Sequence, residues 1–299
     1  MKQVISIGNQ NFISFRKHDY FYIYKTSFIK EWWESTDVVT LVTRPRRFGK
    51  TLNLSIIESF FSNQYKGRSD LFKGLSIWKE EKYQKLQGTY PVIFLSFAEI
   101  KNTNFKDARK GIIDTILECY QTYIKLWKET ASTEKEKYCL VSLSKHAENF
   151  TLEKPVVDTL VTKALKRLCY YLNCYYNKKV IILLDEYDIP LQEAYVDGYW
   201  KEMVSFLRNL FNSTFKTNTF MERSLMTGIT RVSKESIFSD LNNLVVVTTT
   251  SERFATSFGF TEKEVFHALD QQELSSYKEK VKEWYDGFQF GSHTDIYNP

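Results

Sequence analysis

The stretch from Val38 to Thr51 reads VVTLVTRPRRFGKT. Five residues, Val38 to Val42, form a short β-branched run of the kind that makes a buried strand. Directly after Thr51 the pattern changes. Leu52, Leu54, Ile56, Ile57, Phe60 and Phe61 give Lys50 to Phe61 the character of a largely apolar helix. Between strand and helix stands Thr43-Arg44-Pro45-Arg46-Arg47-Phe48-Gly49-Lys50-Thr51. A helix N-terminus offers free amides and a partial positive charge, so a strand, a glycine-bearing loop and a helix in this order suit an anion. In a phosphate-binding loop Gly49 would let the backbone approach phosphate oxygens, Lys50 would reach the β and γ phosphates, and the Thr51 hydroxyl would ligate Mg²⁺. The match to G-x-x-x-x-G-K-[ST] is incomplete. Arg44 stands where the first glycine belongs, and Pro45 lacks an amide donor.

A second segment supplies the complementary chemistry. Val180-Ile181-Ile182-Leu183-Leu184, the most hydrophobic run in the chain, leads straight into Asp185 and Glu186. Such a strand belongs in the middle of a parallel sheet, and its acids then stand at the carboxyl edge, where open α/β folds bind ligands. Asp185 would hold Mg²⁺ through its water shell, and Glu186 would act as general base toward an attacking water. A third segment, Ser224 to Met226, is a short strand candidate followed by Thr227 and Arg231. By analogy Thr227 would orient the water, and Arg231 would sense the γ phosphate or serve as an arginine finger. A strand-end threonine and a surface arginine also occur without any such role.

The rest of the chain alternates strands and helices, the sign of a parallel sheet covered by helices. Pro91 to Phe97 reads as a strand, Lys106 to about Glu129 as a helix, Val156 to Tyr176 as a second helix and Tyr199 to Phe215 as a third. Leu244 to Thr249 is a further strand candidate. Thr130 to Phe150 is polar and reads as a surface excursion. After Ser251 short amphipathic helices follow, Thr261 to Leu269 and Leu274 to Trp284, the first opened by a capping box of Thr261 and Glu264. The cluster of Trp284, Tyr285, Phe288 and Phe290 reads as rings packing a helix onto the core rather than a base-stacking platform.

Composition narrows the function classes. The 299 residues carry 43% hydrophobic and 26% charged residues, enough for a packed core. The net charge of +5 permits a polyanionic partner, DNA or RNA, without demanding one. Arg44, Arg46 and Arg47 would serve that partner in one reading and surround a triphosphate in the favoured one. Four cysteines without a Cys-x-x-Cys pair, and an opening without a secretory leader, suggest reduced thiols and a cytoplasmic location. No apolar run approaches the roughly 20 residues that cross a bilayer. Four scattered histidines argue against a histidine-based metal site.

Several long strings together resemble the predicted AAA-ATPase-like family of bacterial proteins. They are RPRRFGKTLNLS from Arg44, LLDEYDIPLQEAY from Leu183, TGITRVSKESIFSDLNN from Thr227, FGFTEKEV from Phe258, WYDGFQFG from Trp284 and IYNP from Ile296. The resemblance runs from about Phe12 to Pro299. It implies that the arginine-rich loop is the family's form of Walker A, with Lys50 and Thr51 as nucleotide and Mg²⁺ residues and Asp185 and Glu186 as the Walker B pair. It implies an α/β P-loop NTPase of the additional-strand class, sheet order 5-1-4-3-2, with an ATPase core and N-terminal extension over 1–250 and a small helical lid over 251–299. It further implies ATP as ligand, hydrolysis that drives a conformational switch, and self-association as an option. The alternative is a nucleotide-gated nucleic-acid-binding module that hydrolyses little. Longer members carry a PD-(D/E)XK nuclease-like domain that has no counterpart in these residues, so nuclease activity is not carried over; the end at Asp295 to Pro299, with no stop signal of its own, makes 251–299 read as leading into a longer chain. The family usually shows Tyr-Val-Asp-Lys-Thr near the N-terminus; here the string is Tyr22-Ile23-Tyr24-Lys25-Thr26, with Tyr24 in place of the acid.

Overall fold

The computed structural model describes residues 3–151, 158–230, 237–285 and 287–299. In chain order the regular elements are α1 (Phe12–Lys17), α2 (Ser27–Glu34), β1 (Val39–Thr43), α3 (Lys50–Phe61), α4 (Glu81–Leu86), β2 (Val92–Ser96), α5 (Phe105–Thr130), α6 (Glu134–Thr151), α7 (Asp158–Thr162), α8 (Ala164–Tyr176), β3 (Val180–Asp185), α9 (Ile189–Val196), α10 (Trp200–Phe215), β4 (Met221–Gly228), β5 (Leu244–Val247), β6 (Phe260–Thr261), α11 (Glu262–Gln271), α12 (Lys278–Trp284), β7 (Phe288–Phe290) and β8 (His293–Tyr297). Five strands form a parallel sheet in the order β2-β3-β4-β1-β5. The other three form a small sheet in the order β6-β8-β7, with antiparallel pairs.

The chain divides into two compact units: residues 37–41 with 90–245, and residues 1–36, 42–89 and 246–299. The C-terminal segment groups with the N-terminal one. In the first of these units every residue of β3 is buried, as its hydrophobic run requires of a central strand. β3 pairs in parallel with β2, Ser96 opposite Asp185, and with β4, Leu184 opposite Met226. Since the pairs are parallel, Ser96, Asp185 and Gly228 end their strands on the same edge. Helix α5 buries Ile112, Ile113, Ile116, Tyr120, Tyr123 and Trp127. Its buried phenols are satisfied by backbone: Tyr120 donates to Ala164 O at 2.7 Å and Tyr123 to Val92 O at 2.6 Å.

Two sequence expectations in this unit need correction. Residues 134–151 are a helix, not an irregular excursion. Cys139, Leu143, Ala147 and Phe150 supply its buried stripe, and the Glu136 carboxylate accepts from the amides of Ser132 and Thr133, both at 2.9 Å. Those bonds hold the Glu136 carboxyl down at about 2. The helix expected over 156–176 is interrupted at Lys163, and residues 152–157 lie outside the described residues.

In the other unit α3 is buried on nearly all sides, through Leu52, Asn53, Leu54, Ile56, Ile57, Ser59, Phe60 and Phe61. The C-terminal segment corrects the purely helical expectation, since β6, β7 and β8 accompany α11 and α12. The Thr261–Glu264 capping box is present. Of the aromatic cluster expected to pack inward, Phe290 is buried, but Trp284 is 81% exposed. None of the four cysteines is in a disulfide. Among the described residues no helix is long and apolar enough to cross a membrane.

Candidate functional site

The loop that leaves β1 turns through two left-handed residues, Arg47 at φ 65° and Gly49 at φ 73°. Glycine takes that conformation without cost; an arginine there costs about 1 kcal/mol. Gly49 is the N-cap of α3 and, being glycine, brings no side chain of its own to the helix start. The amides of a helix N-terminus and its partial positive charge are the features that suit an anion. Lys50, only 4% exposed, donates from Nζ to the carbonyls of Arg44 at 3.2 Å and Pro45 at 3.1 Å. Its ammonium thus lies across the loop from below. Thr51 opens the helix beside it and is half-buried. Arg46 and Arg47 are exposed.

Two residues expected around a triphosphate take other places. Arg44 is fully buried. It donates to Thr43 O at 2.9 Å and Phe254 O at 3.2 Å, and its guanidinium lies over the rings of Phe258 and Phe290, at 5.5 and 4.8 Å. Burial lowers its pKa to about 10, so it stays charged at neutral pH. Phe48 is buried as well and packs on Phe288 and Phe290. Both side chains anchor the loop to the C-terminal segment. The physical reason is that the C-terminal segment brings rings and carbonyls to them that no local sequence pattern announces. Asn53 donates to Ser257 O at 2.9 Å, and the Asn298 amide reaches the loop carbonyls of Arg46 and Arg47, at 3.3 and 3.1 Å in its two orientations.

The N-terminal string supports the same region. The Tyr22 hydroxyl stands 3.4 Å from where a Cβ on Gly49 would lie, and burial pushes its phenol pKa up. Tyr24, at the family's acidic position, packs edge-on against Phe12 under the Arg16 guanidinium. Lys25 is buried and forms a 2.5 Å ion pair with Glu264. The substitution at Tyr24 therefore leaves a ring-packing site where an acid was expected.

In the other unit the Asp185 carboxylate is buried, and the Thr227 hydroxyl donates to its Oδ1. The hydroxyl fixes the acid, because the β3–β4 register sets the two residues side by side. Glu186 is half-buried and sits at φ 50°. A non-glycine residue held there costs about 1–3 kcal/mol, the kind of backbone strain that clusters at functional sites. Tyr187 and Asp188, which sequence reasoning passed over, complete this corner. Arg231 lies outside the described residues. Among the described residues no group of three or more His, Cys, Asp or Glu is arranged to hold a metal ion. Mg²⁺ does not require one, since it keeps several waters and takes one or two carboxylates. The buried Asp185 carboxylate is a donor of that kind in its unit, and in the other unit the glycine-turned helix start with the Lys50 ammonium has the chemistry that suits a polyphosphate.

A family model described as "Predicted AAA-ATPase" matches residues 6–238. The chain is also 25% identical over 300 residues to an uncharacterised protein encoded in the vnfD 5′ region of Azotobacter chroococcum mcd 1. That alignment covers 100% of this chain and 51% of the relative, so the chain spans about half of the relative's length.

Proposed function

Starting from its membership of the predicted AAA-ATPase family, we propose that this chain is a Mg²⁺-dependent ATPase whose hydrolysis cycle drives a conformational switch. The observation that carries the reading is the loop from Arg44 to Thr51: a glycine-turned helix start with a buried ammonium at its first residue. Those are the parts a triphosphate needs, and they explain the family match in chemical terms.

In this reading the α3 amides and Lys50 bind the β and γ phosphates. Lys50 exchanges its bonds to Arg44 O and Pro45 O for bonds to phosphate oxygens. Mg²⁺, when bound, supplies charge neutralisation between those phosphates, and Thr51 and Asp185 would hold it. Thr227 keeps the Asp185 carboxylate oriented. Glu186 takes the proton of the attacking water as its oxygen bonds to the γ phosphorus and the bond to ADP breaks, giving ADP and phosphate. Exposed Arg46 and Arg47 stand ready for phosphate charge. With Arg44 buried, one of the three cations on which a nucleic-acid reading rests is spent internally.

The test is nucleotide binding and turnover with and without Mg²⁺. Lys50→Ala should weaken ATP binding by about tenfold or more. Glu186→Gln should keep binding and lose turnover by roughly 10²-fold or more. Wild-type hydrolysis rates in both variants would refute the assignment.

A further inference from the structure

The string Asp185-Glu186-Tyr187-Asp188 holds one acid that the proposed chemistry does not use. Asp188 occupies the N-cap position of α9, where an aspartate ordinarily caps its own helix, yet its side chain makes no cap bond. The carboxylate, fully buried, turns instead to the chain leaving β4. Its Oδ2 accepts from the Ile229 amide at 3.0 Å, the Thr230 amide at 2.8 Å, the Thr230 hydroxyl at 2.7 Å and Gln192 Nε2 at 2.9 Å. Its Oδ1 has no hydrogen-bond partner. A buried carboxylate that gives up its helix cap for three bonds to one short segment is an expensive arrangement, and each charge-assisted bond is stronger than a neutral one.

Tyr187 closes the same corner from its other side. Its amide donates to Thr227 O at 3.0 Å, and its hydroxyl donates to Thr230 O at 2.8 Å. Gly228 lies between. A Cβ there would fall 2.6 Å from Tyr187 Cε1 and 2.7 Å from Asp188 Oδ1, so the backbone is pressed directly against both side chains. Residues 227–230 are thus held at four consecutive positions by the two residues that follow Glu186. Thr227, the first of the four, is the one whose hydroxyl holds Asp185.

We propose that Asp188, with Tyr187, is a positioning residue: it locks residues 227–230 to the end of β3 and so keeps the Thr227 hydroxyl on Asp185, setting the carboxylate that binds Mg²⁺. The inference rests on the proposed ATPase reading and adds residues to it. The hydrogen bonds of Asp188 go to Gln192, Ile229 and Thr230, none of which this reading places on nucleotide or metal. Its removal should therefore spare phosphate binding at the loop and act on metal dependence and turnover.

The experiment uses the full chain and three variants. Asp188→Ala deletes every acceptor. Asp188→Asn keeps one acceptor oxygen for the same donors. Tyr187→Phe removes only the hydroxyl bond to Thr230. Steady-state hydrolysis is measured against ATP and against Mg²⁺, ATP binding is measured without Mg²⁺, and amide hydrogen exchange is followed at residues 228–230. Asp188→Ala should lower kcat by about tenfold or more, raise the Mg²⁺ concentration for half-maximal rate severalfold, leave metal-free ATP binding within about twofold, and speed exchange at 229 and 230. Asp188→Asn should recover part of each loss. Tyr187→Phe should show a smaller shift of the same kind, which keeps the test alive if Asp188→Ala does not fold. An unchanged Mg²⁺ dependence in the folded variants would overturn the proposal, as would losses that follow thermal stability alone with no recovery in Asp188→Asn. Failure of the ATPase reading looks different: wild type and Lys50→Ala would then hydrolyse at the same rate, whatever the exchange at 229 and 230.

Discussion

Arg44 and its neighbours Arg46 and Arg47 share a loop and a charge, and the structure separates them completely. The guanidinium of Arg44 is enclosed by Phe258 and Phe290 and holds two carbonyls, while Arg46 and Arg47 face solvent. Arg44→Met should therefore destabilise the fold by about 2–4 kcal/mol, from two buried carbonyls left without a donor and a lost cation–π contact. Arg46→Ala should change stability by less than about 0.5 kcal/mol and weaken ATP binding instead. Urea unfolding and nucleotide titration of the two variants read this contrast. The spacing of Gly49, Lys50, Thr51, Asp185 and Glu186 was legible because each residue type has a fixed task at a strand end or helix start. The fate of Arg44 was not, because the rings that enclose it lie more than two hundred positions away in the chain. Asp188 escaped notice for a related reason: an aspartate before Ile189-Pro190 looks like an ordinary helix cap.

At the scale of elements, helix signals explain both a success and a miss. The Thr261–Glu264 box was visible as a threonine followed three residues later by a glutamate, and it opens α11 as expected. The same spacing stands at Thr133 and Glu136, ahead of a buried stripe from Cys139 to Phe150, and it opens α6. The Glu-Lys-Glu-Lys run at 134–137 and the polar residues Ser142, Ser144, Lys145, Glu148 and Asn149 among the apolar ones hid the period. Glu264 does more than cap. Its carboxylate also meets the buried ammonium of Lys25, which donates to Thr256 O at 2.9 Å as well. Thr261→Ala should cost about 1 kcal/mol, the value of one helix cap. Glu264→Ala should cost roughly 3–5 kcal/mol, since it leaves Lys25 charged and buried without its partner. Denaturant midpoints of the two variants decide whether the box or the ion pair holds α11 in place.

For the whole molecule, two buried groups give acid stability opposite slopes. His146, held among aromatic rings, has its pKa lowered to about 4 by burial and by the neighbouring Arg167. Its unfolded value is about 6.5, so the unfolded chain binds the extra proton first, and stability is lost as pH falls from about 6.5 toward 4. Burial raises the Glu58 carboxyl to about 7. Here the folded chain holds the proton, and stability is lost as pH rises from about 4.5 through 7. His146→Phe should therefore remove the acid-side loss and make stability fall more steeply with rising pH. Glu58→Gln should do the reverse. Calorimetry at about pH 5 and pH 6.5 checks both signs. The alternation of strands and helices made the α/β class readable from the chain alone. The grouping of residues 1–36, 42–89 and 246–299 was not readable, because it depends on packing among segments distant in sequence.

That grouping bears on how the protein can be dissected. The family match ends at residue 238, but Phe254, Phe258, Phe290 and Asn298 brace the arginine-rich loop and Ser257 braces α3 behind it. A fragment trimmed to that span would keep Lys50, Thr51, Asp185 and Glu186 and lose the floor beneath the loop, so its inactivity would say nothing about the chemistry of the intact chain.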